Sequence, residues 1–374
     1  MNPHSSKPMY GLTGKSLHID LPLLGLLCLM IGYGLLILYS ASNADFGLII
    51  RQCLRLLLAL SVMTLFAFIP PHKYKYWTPW IYAVGLVLLI AVMVMGKIGK
   101  GAQRWLDLGF FRFQPSEIMK LAVPMMAAWY LDRKPGPIDL KSLTIASLFI
   151  FVPTLLVVKQ PDLGTAIMIA MGGLFVIFLA GINVRIILLL TSLVALSAPL
   201  LWSHMHGYQK QRILTLLDPE QDPLGSGYHI IQSKIAIGSG GTWGKGWLAG
   251  SQSHLNFLPE HATDFIFAVS GEEFGFVGSV VLIALIVLIS LRSLHIAREA
   301  QSTYTRLLAT SLSMTFFFSA FVNMGMVMGI LPVVGIPLPL ISYGGTAMVT
   351  FMASFGLLMS IHSHRILFNT LHQQ

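Results

Sequence analysis

Charged residues are scarce in this sequence. Only 10% of its 374 residues are Asp, Glu, Lys or Arg, whereas 55% are hydrophobic and the mean hydropathy is +0.74. A soluble domain carries about 25% charged residues, so this composition excludes an ordinary soluble protein. Cysteine is also scarce, and Cys28 and Cys53 both fall in or beside apolar runs, which argues against a disulfide framework. The sequence therefore predicts a polytopic membrane protein.

Basic residues outnumber acidic ones, and the formal net charge is +9. In a membrane protein, Lys and Arg lie mainly in cytoplasmic loops and set the orientation of the chain, so this excess does not indicate nucleic-acid binding. The first apolar run is too long for the core of a cleavable signal peptide and lacks a clear cleavage site. We therefore expect membrane lipid, and no nucleic acid, around the chain.

Ten apolar runs are long enough to cross a bilayer as helices. They cover approximately residues 21–42, 50–69, 76–96, 116–131, 142–158, 163–183, 185–204, 264–292, 305–330 and 343–362. An even number of spans places both termini on one side, and a weak majority of the basic residues favours the cytoplasm for that side. The sequence thus predicts an all-α integral membrane protein of about ten transmembrane helices, with residues 1–374 forming a single domain.

Two segments interrupt the pattern of spans. Residues 206–263 form a large periplasmic loop between the seventh and eighth spans, and their apolar residues favour short amphipathic helices on the membrane surface. Residues 331–345, LPVVGIPLPLISYGG, divide a stretch without Asp, Glu, Lys or Arg that runs from Leu307 to His364. The three prolines exclude a continuous helix. Since non-helical backbone at membrane depth survives only against protein or a wet cavity, we predict a re-entrant segment here.

Acidic residues are concentrated in FLPEHATDFIFAVSGEEFG, residues 257–275, which leads into the eighth span. An ionisable group at membrane depth is costly and is functional by default. Asp264 lies at the outer mouth of this span, where two compatible roles are open to it. It could cap the helix, as could Thr263, or it could act as a general base that faces the periplasm. Glu272 and Glu273 lie about two turns deeper, where one of them could pair with a cation.

Two further motifs supply cations near the outer ends of the spans. Glu117 and Lys120, in QPSEIMK, are three residues apart and therefore share a helix face. They predict either a structural ion pair or a Lys120 that points towards a phosphate. Arg104 precedes Trp105 in a periplasmic loop, where the arginine could bind a pyrophosphate through two N–H groups. The tryptophan is of the type that anchors chains at membrane interfaces.

The glycine-rich stretch GSGGTWGKG, residues 238–246, fails the P-loop pattern, because Ser239 replaces the first glycine and glycine follows Lys245. A flexible loop is the plain interpretation, although its N–H groups and Lys245 could cradle a phosphate. Arg51 and Arg55 favour snorkelling at the head of the second span. The histidines have no metal-ligand spacing. Together the charged residues predict a periplasm-facing cavity for an anionic, lipid-linked substrate.

Five motifs together resemble the SEDS (shape, elongation, division and sporulation) family. They are RWLDLGFFRFQPSEIMK, QPDLGTA, DPEQDPLGSGYHIIQSKIAIGSGG, FLPEHATDFIFAV and LPVVGIPLPLISYGG, and their order and spacing fit the family across the whole chain. YHIIQSKIAIGSGG with GKGW is more similar to the elongation branch than to the division branch. One departure, SGEEFG where AEELG is common, affects no position expected to be catalytic.

The resemblance implies an inverting peptidoglycan glycosyltransferase of the bacterial inner membrane that polymerises lipid II. The essential aspartate of the family maps onto Asp264. Its cavity residues map onto Arg104, Trp105, Glu117, Lys120 and, more loosely, Lys245. The implied partners are the nascent glycan strand, a class B penicillin-binding transpeptidase and other proteins of the elongation complex. Cations, which could include Mg²⁺ or Mn²⁺, would stabilise the departing undecaprenyl pyrophosphate.

Two other functions fit the same residues. A flippase for lipid II would also need many spans and a charged cavity, but the re-entrant segment has no counterpart in the first half of the chain, as an inverted repeat would provide. A scaffold that only activates a partner enzyme has no need of a carboxylate at a cavity mouth. Either of these proteins should tolerate Asp264→Asn, whereas a glycosyltransferase should not.

Overall fold

The computed structural model describes residues 19–99, 102–107, 112–133, 138–182, 207–222, 225–254 and 260–371, with isolated residues between 186 and 203. The helices in these ranges are α1 (Leu21–Ala41), α2 (Phe46–Phe68), α3 (Pro71–Met95), α4 (Pro115–Asp132), α5 (Leu140–Lys159), α6 (Leu163–Leu179), α7 (Gly207–Leu217), α8 (Ser226–Gly240), α9 (Ser251–His254), α10 (Ile266–Arg298), α11 (Thr303–Val327) and α12 (Thr346–Leu371). A short 3₁₀ helix covers Pro219–Gln221. The predicted all-α membrane fold is confirmed.

Seven helices of the described chain are long and apolar enough to cross a membrane: α1, α2, α3, α5, α10, α11 and, up to His364, α12. Helices α4 and α6 coincide with the predicted fourth and sixth spans. Helix α6 is shorter, at 17 residues, and α4 carries Glu117, Lys120 and Asp132. The predicted seventh span, 185–204, lies largely outside the described residues. The chain is therefore a multi-pass membrane protein.

Several of the few acidic residues begin helices. The carboxylates of Asp20, Asp45, Asp139 and Asp162 accept backbone N–H groups in the first turns of α1, α2, α5 and α6. Such a cap satisfies donors that have no partner within the helix and favours the positive end of the helix dipole. At α11 the same task falls to a capping box formed by Ser302 and Thr305.

Helix α11 packs between two apolar cores. Phe316 and Ala320 belong to a core that α1, α2, α10 and α12 share. Leu308 and Leu312, nearer its start, belong to a second core with α3–α6. Ser311 also donates a hydrogen bond of 2.6 Å to the carbonyl oxygen of Gly172 on α6. Because α11 packs against both cores, its buried polar residues, which include Ser311 and Asn323, face other parts of the protein rather than lipid.

The start of α1 and the last turns of α12 lie on the same face of the bundle. Asp20, before α1, accepts a hydrogen bond of 3.0 Å from Arg292 Nε near the end of α10, and His362 Nε2 of α12 lies 3.3 Å from its carboxylate. This arrangement agrees with an even number of spans. Asp264 precedes α10 and so lies towards the opposite face.

A small antiparallel sheet, absent from the sequence prediction, follows α3. Its strands β1 (Lys97–Gly99), β2 (Ala102–Asp107) and β3 (Arg112–Phe113) are paired in that order. The strands are too short to produce a recognisable alternation of polar and apolar residues. Strand β2 carries Arg104 and Trp105, so the sheet holds both residues beside the start of α4.

The segment 331–345 is non-helical, as the prolines predict. It is also internal: Ile336, Leu338, Leu340, Ile341 and Ser342 are all buried. Irregular backbone at this depth is therefore surrounded by protein, which meets the condition for its existence within a membrane domain.

The loop 206–263 contains the short helices α7, α8 and α9. Helix α8 packs directly against α10: a Cβ on Gly240 would lie 2.0 Å from the carbonyl oxygen of Gly271. Helix α8 is therefore held against the bundle by glycines that permit close backbone approach, and its location at the membrane surface stays a prediction.

Candidate active site

One cavity of about 330 Å³ brings together residues from distant parts of the chain. Among the residues that line it are Arg104, Trp105, Gln114, Glu117, Lys120, Asp162, Glu260 and Asp264. They come from β2, α4, the start of α6 and the turn before α10, and the segment 331–345 completes the wall. Five of the six site residues predicted from the sequence thus line a single cavity; Lys245 does not.

Asp264 lies in a non-helical turn, residues 260–265, and is half-buried. The expectation that Asp264 or Thr263 caps α10 is wrong, because the cap residue is Phe265 and no side chain accepts a hydrogen bond from the first turn. The Thr263 hydroxyl instead donates to the Glu260 carboxylate at 2.7 Å. Asp264 therefore lines the cavity wall without serving as the cap of α10.

The ion pair between Glu117 and Lys120 forms as predicted. Lys120 Nζ lies 2.7 Å from Glu117 Oε1, and side-chain exposures of 11% and 9% show that the pair is shielded from solvent. Both side chains line the cavity. The structural ion pair is therefore present, and the alternative that Lys120 points towards a phosphate stays a prediction.

Arg104 has partners that the sequence reasoning did not identify. Its Nη1 lies 3.7 Å from the Asp162 carboxylate, and its Nη2 donates to the carbonyl oxygen of Pro161 at 3.2 Å. Gln114 Nε2 donates to the same carboxylate at 3.0 Å. Asp162 lies within the motif QPDLGTA, but its position opposite Arg104 depends on where folding places the start of α6 relative to β2, which spacing along the chain does not reveal.

Lys245 is engaged at a different place. Its Nζ lies 2.7 Å from Oε1 of Glu272, a fully buried residue of α10 that also accepts hydrogen bonds from Ser251 and from the backbone N–H of Gln252. Glu273 accepts from the Ser40 hydroxyl. Glu272 is thus the deep acidic residue that pairs with a cation, and Lys245 is bound to it rather than presented to the cavity.

An apolar groove lies next to the cavity. It has a volume of about 890 Å³, runs between α2, α4 and α12, and shares Trp105, Glu117, Gly345 and Thr346 with the cavity. Arg55 lines this groove, with its guanidinium carbon 4.4 Å above the ring of Tyr343. Arg55 therefore lies where the groove meets the polar cavity, because Tyr343 lines that cavity, and the snorkelling of Arg55 stays a prediction.

The described residues form no metal site from protein ligands alone. Within the described ranges, no three His, Cys, Asp or Glu side chains are close enough to hold an ion. The carboxylates of Glu117 and Asp162 already face Lys120 and Arg104. The residues of the cavity therefore do not fit a resident metal, and a cation there would need substrate oxygens as further ligands.

Comparisons with known proteins cover nearly the whole chain. The family model for the FtsW, RodA and SpoVE cell cycle proteins matches residues 20–366. The peptidoglycan glycosyltransferase MrdB of Escherichia coli K12 is 54% identical over 349 residues, which are 93% of this chain and 94% of that protein.

Solved structures of proteins of this kind also resemble the chain. A chain of a peptidoglycan synthase complex, described as coordinating polymerization and crosslinking, superposes with a TM-score of 0.82 at 33% identity and covers 93% of this chain and 98% of its own length. The rod shape determining protein RodA of Thermus thermophilus gives a TM-score of 0.71 at 28% identity, over 94% of this chain and 98% of its own. The chain belongs to the FtsW, RodA and SpoVE family of cell cycle proteins, the SEDS family that its motifs indicate.

Proposed function

We propose that this protein is a peptidoglycan glycosyltransferase that polymerises lipid II during cell-wall elongation, with Asp264 as its general base. The observation that carries the proposal is the convergence of Asp264, Arg104 and Lys120 on one cavity. A carboxylate that accepts a proton and cations that stabilise a departing phosphate are the two groups that glycosyl transfer from a diphosphate requires. The 54% identity to a peptidoglycan glycosyltransferase supports the same activity.

The acceptor in this reaction is the 4-hydroxyl of a lipid II GlcNAc, and the donor is the anomeric carbon at the MurNAc end of the growing strand. The hydroxyl oxygen forms a bond to the anomeric carbon as Asp264 takes its proton. The bond from that carbon to the diphosphate oxygen breaks, and its electron pair leaves with undecaprenyl pyrophosphate. Attack opposite the leaving group inverts an α-linked donor into a β-linked product.

Arg104 and Lys120 stabilise the charge that develops on the diphosphate. In the free enzyme each of them faces a carboxylate, Asp162 and Glu117 respectively. These pairs fix the cations in position before the substrate arrives, so little reorganisation is needed during the reaction. Trp105 and Glu117 line both the cavity and the apolar groove, and this adjacency supports the proposal that the groove binds the isoprenoid tail attached to the diphosphate.

A divalent cation, Mg²⁺ or Mn²⁺, stays a prediction. The described residues that line the cavity do not include a group of three potential metal ligands that could hold an ion, and the mechanism is written without such an ion.

The proposed setting is the bacterial inner membrane, with both termini in the cytoplasm and the cavity facing the periplasm. The end of α12 lies beside the start of α1, away from Asp264, and this supports the shared side of the termini. A class B penicillin-binding transpeptidase is the proposed partner, together with other proteins of the elongation complex. The similarity to a chain from a complex of polymerization and crosslinking supports this partnership.

The test is a glycan-ladder assay with purified protein and lipid II, with and without the transpeptidase. We expect polymer from the wild type, and a loss of about 10²–10⁴-fold in rate for Asp264→Asn, the usual contribution of a general base. Asp45→Asn is the matched control, because it makes the same change at an exposed carboxylate outside the cavity. Asparagine also preserves the capping of α2 by residue 45.

The outcomes separate the three functions. Equal polymer from the wild type and from Asp264→Asn would remove Asp264 from the chemistry. If neither protein makes polymer even with the transpeptidase present, the flippase would become the better interpretation, and transport of labelled lipid II in proteoliposomes would then test it. If Asp264→Asn fully restores polymerisation by a partner enzyme, the scaffold would be favoured.

A further inference from the structure

The turn that carries Asp264 has no regular secondary structure to hold it. Residues 260–265 lie outside α10, and Glu260 has a positive φ of 55°. Catalysis nevertheless requires the base to be held within a fraction of an ångström of its productive position, and a misplacement of about 1 Å can cost a hundredfold in rate. Contacts from elsewhere in the chain must therefore fix this turn.

Three consecutive carbonyl oxygens of the turn accept hydrogen bonds from distant residues. The backbone N–H of Tyr343 donates to Ala262 at 2.8 Å. The hydroxyl of Ser342 donates to Thr263 at 2.6 Å. The side-chain amide of Asn323, on α11, donates to Asp264 itself at 2.8 Å.

Asn323 and Ser342 each bind a second group, so they join the turn to the segment 331–345. The other amide hydrogen of Asn323 is donated to the carbonyl oxygen of Ile336 at 2.7 Å. Since both partners of Asn323 are carbonyl oxygens, its NH₂ group must face them. The Ser342 hydroxyl accepts from the backbone N–H of Leu338 at 2.8 Å. Asn323 is fully buried and Ser342 nearly so, so water cannot replace these bonds.

The same segment also packs against the carboxylate of Asp264. Gly335 has a φ of +76°, and a Cβ at this position would lie 3.5 Å from Asp264 Oδ2. The segment 331–345 therefore lies beside the carboxylate at Gly335, and the hydrogen bonds of Asn323 and Ser342 join this segment to the backbone of the turn. Loss of the hydrogen bonds from Asn323 or from Ser342 would therefore move the carboxylate relative to Arg104 and Lys120, which belong to other elements.

We propose that Asn323 and Ser342 are positioning residues for the general base, and that they fix the Asp264 carboxylate relative to the bound acceptor hydroxyl. This inference rests on the proposed function. Neither residue supplies charge to the diphosphate. Their loss therefore lowers the turnover of bound substrate and leaves the affinity for lipid II nearly unchanged.

The test compares Asn323→Leu and Ser342→Ala with Ser311→Ala in steady-state polymerisation of lipid II, alongside thermal unfolding in detergent. Ser311→Ala is the matched control: it removes a bond of 2.6 Å from a buried serine of α11 to a backbone carbonyl, but far from the turn. We expect kcat to fall about ten- to a hundredfold for Asn323→Leu and severalfold for Ser342→Ala. KM should stay within about twofold, and Ser311→Ala should keep the kcat of the wild type.

Asn323→Gln keeps the amide and should recover part of the lost kcat, which a purely steric role would not produce. If Asn323→Leu does not fold, Ser342→Ala against Ser311→Ala decides the question by the same measurement. A kcat of Ser342→Ala equal to that of Ser311→Ala, with Asp264→Asn inactive, would overturn this inference alone. Full activity of Asp264→Asn would instead overturn the proposed function on which it rests.

Discussion

Arg104 contacts two different kinds of acceptor, and this defines its role. One nitrogen faces the Asp162 carboxylate and another donates to the Pro161 carbonyl oxygen, so the planar guanidinium is held in one orientation. A lysine at this position would keep the positive charge but could not make both contacts from a flat group. The geometry of the guanidinium, and not only its charge, should therefore matter for activity.

We predict that Arg104→Lys lowers kcat/KM for lipid II about tenfold and that Arg104→Met lowers it about a hundredfold. A hydrogen bond to a charged group contributes about 1.5–3 kcal/mol, which corresponds to rate factors of this size. Initial rates of polymerisation at several lipid II concentrations measure the effect. Arg51→Met is the control, since Arg51 is exposed and pairs with Asp45 outside the cavity. Normal kinetics for Arg104→Met would show that another group stabilises the diphosphate.

Charge was the signal that made part of the site predictable. In a chain with so few charges, Asp264, Glu117 and Lys120 stand out at or near the ends of predicted spans, where an ionisable group is costly, and Arg104 stands out in the loop before Glu117. Asn323 does not stand out in the same way, because it is uncharged. Its role depends on hydrogen bonds to the carbonyl oxygens of Asp264 and Ile336, which only folding brings near it. Neutral polar residues that position a site therefore cannot be identified from the sequence without the tertiary structure.

At the scale of elements, helix α10 and the glycine-rich loop before it form one unit. Helix α10 is interrupted at Gly275, whose φ of 63° and ψ of −156° are not helical. The backbone N–H groups of Phe276 and Val277, which the interruption leaves without helical partners, donate to the carbonyl oxygens of Gly241 and Thr242 at 2.9 and 3.1 Å. The ion pair of Lys245 with Glu272 fastens the same loop to the first half of the helix.

The contacts within this unit differ from both interpretations that the sequence suggested for the glycine-rich stretch, residues 238–246. Glycine spacing with a lysine suggested a flexible loop or a phosphate cradle, and both interpretations assume that the N–H groups face solvent or a ligand. In the structure the N–H of Lys245 donates to the carbonyl oxygen of Glu272, and that of Gly246 to Glu273, both at 3.0 Å. The non-helical backbone of residues 331–345 was easier to predict, because proline has a direct and local effect on the backbone.

We predict that Gly275→Ala strongly destabilises the protein. A Cβ there would lie 2.3 Å from the backbone nitrogen of Gly244, and alanine tolerates this positive φ poorly. Gly25→Ala, at a position on α1 where no atom comes within 4 Å of the added Cβ, should be neutral or slightly stabilising. Thermal unfolding in detergent compares the two variants. Equal melting temperatures would mean that the loop does not need its close contact with α10.

Across the whole molecule, two groups of charges lie at opposite ends of the helix bundle. The cavity with Asp264 is at one end. At the other end, Asp20 contacts Arg292 and His362. The second group joins the beginning of α1 to the ends of α10 and α12, although these elements are far apart in sequence. The sequence could indicate that both ends lie on one side, but not that a carboxylate would link them, because the pairing depends on how the helices are arranged around each other.

The link through Asp20 should make the stability of the protein depend on pH. Burial alone would raise the pKa of Asp20, but hydrogen bonds from Arg292 and from the backbone N–H of Leu23 outweigh it and hold the pKa below its usual value. A carboxyl group whose pKa is lower in the folded than in the unfolded state stabilises the protein above the unfolded pKa of about 3.9. This stabilisation is lost as the pH falls from about 4 towards the lowered pKa of the folded state.

We therefore predict that Asp20→Asn melts at a lower temperature than the wild type at pH 7, and that the difference shrinks as the pH falls below about 4. Asparagine can still cap α1, so the comparison isolates the charge. Loss of one partner of a buried ion pair costs about 3–5 kcal/mol, which is large enough to measure by thermal unfolding in detergent. Asp139→Asn, at the exposed cap of α5, should show only a small difference at every pH. If Asp20→Asn melts below the wild type by the same amount at pH 3 as at pH 7, the negative charge of Asp20 does not account for its stabilising effect.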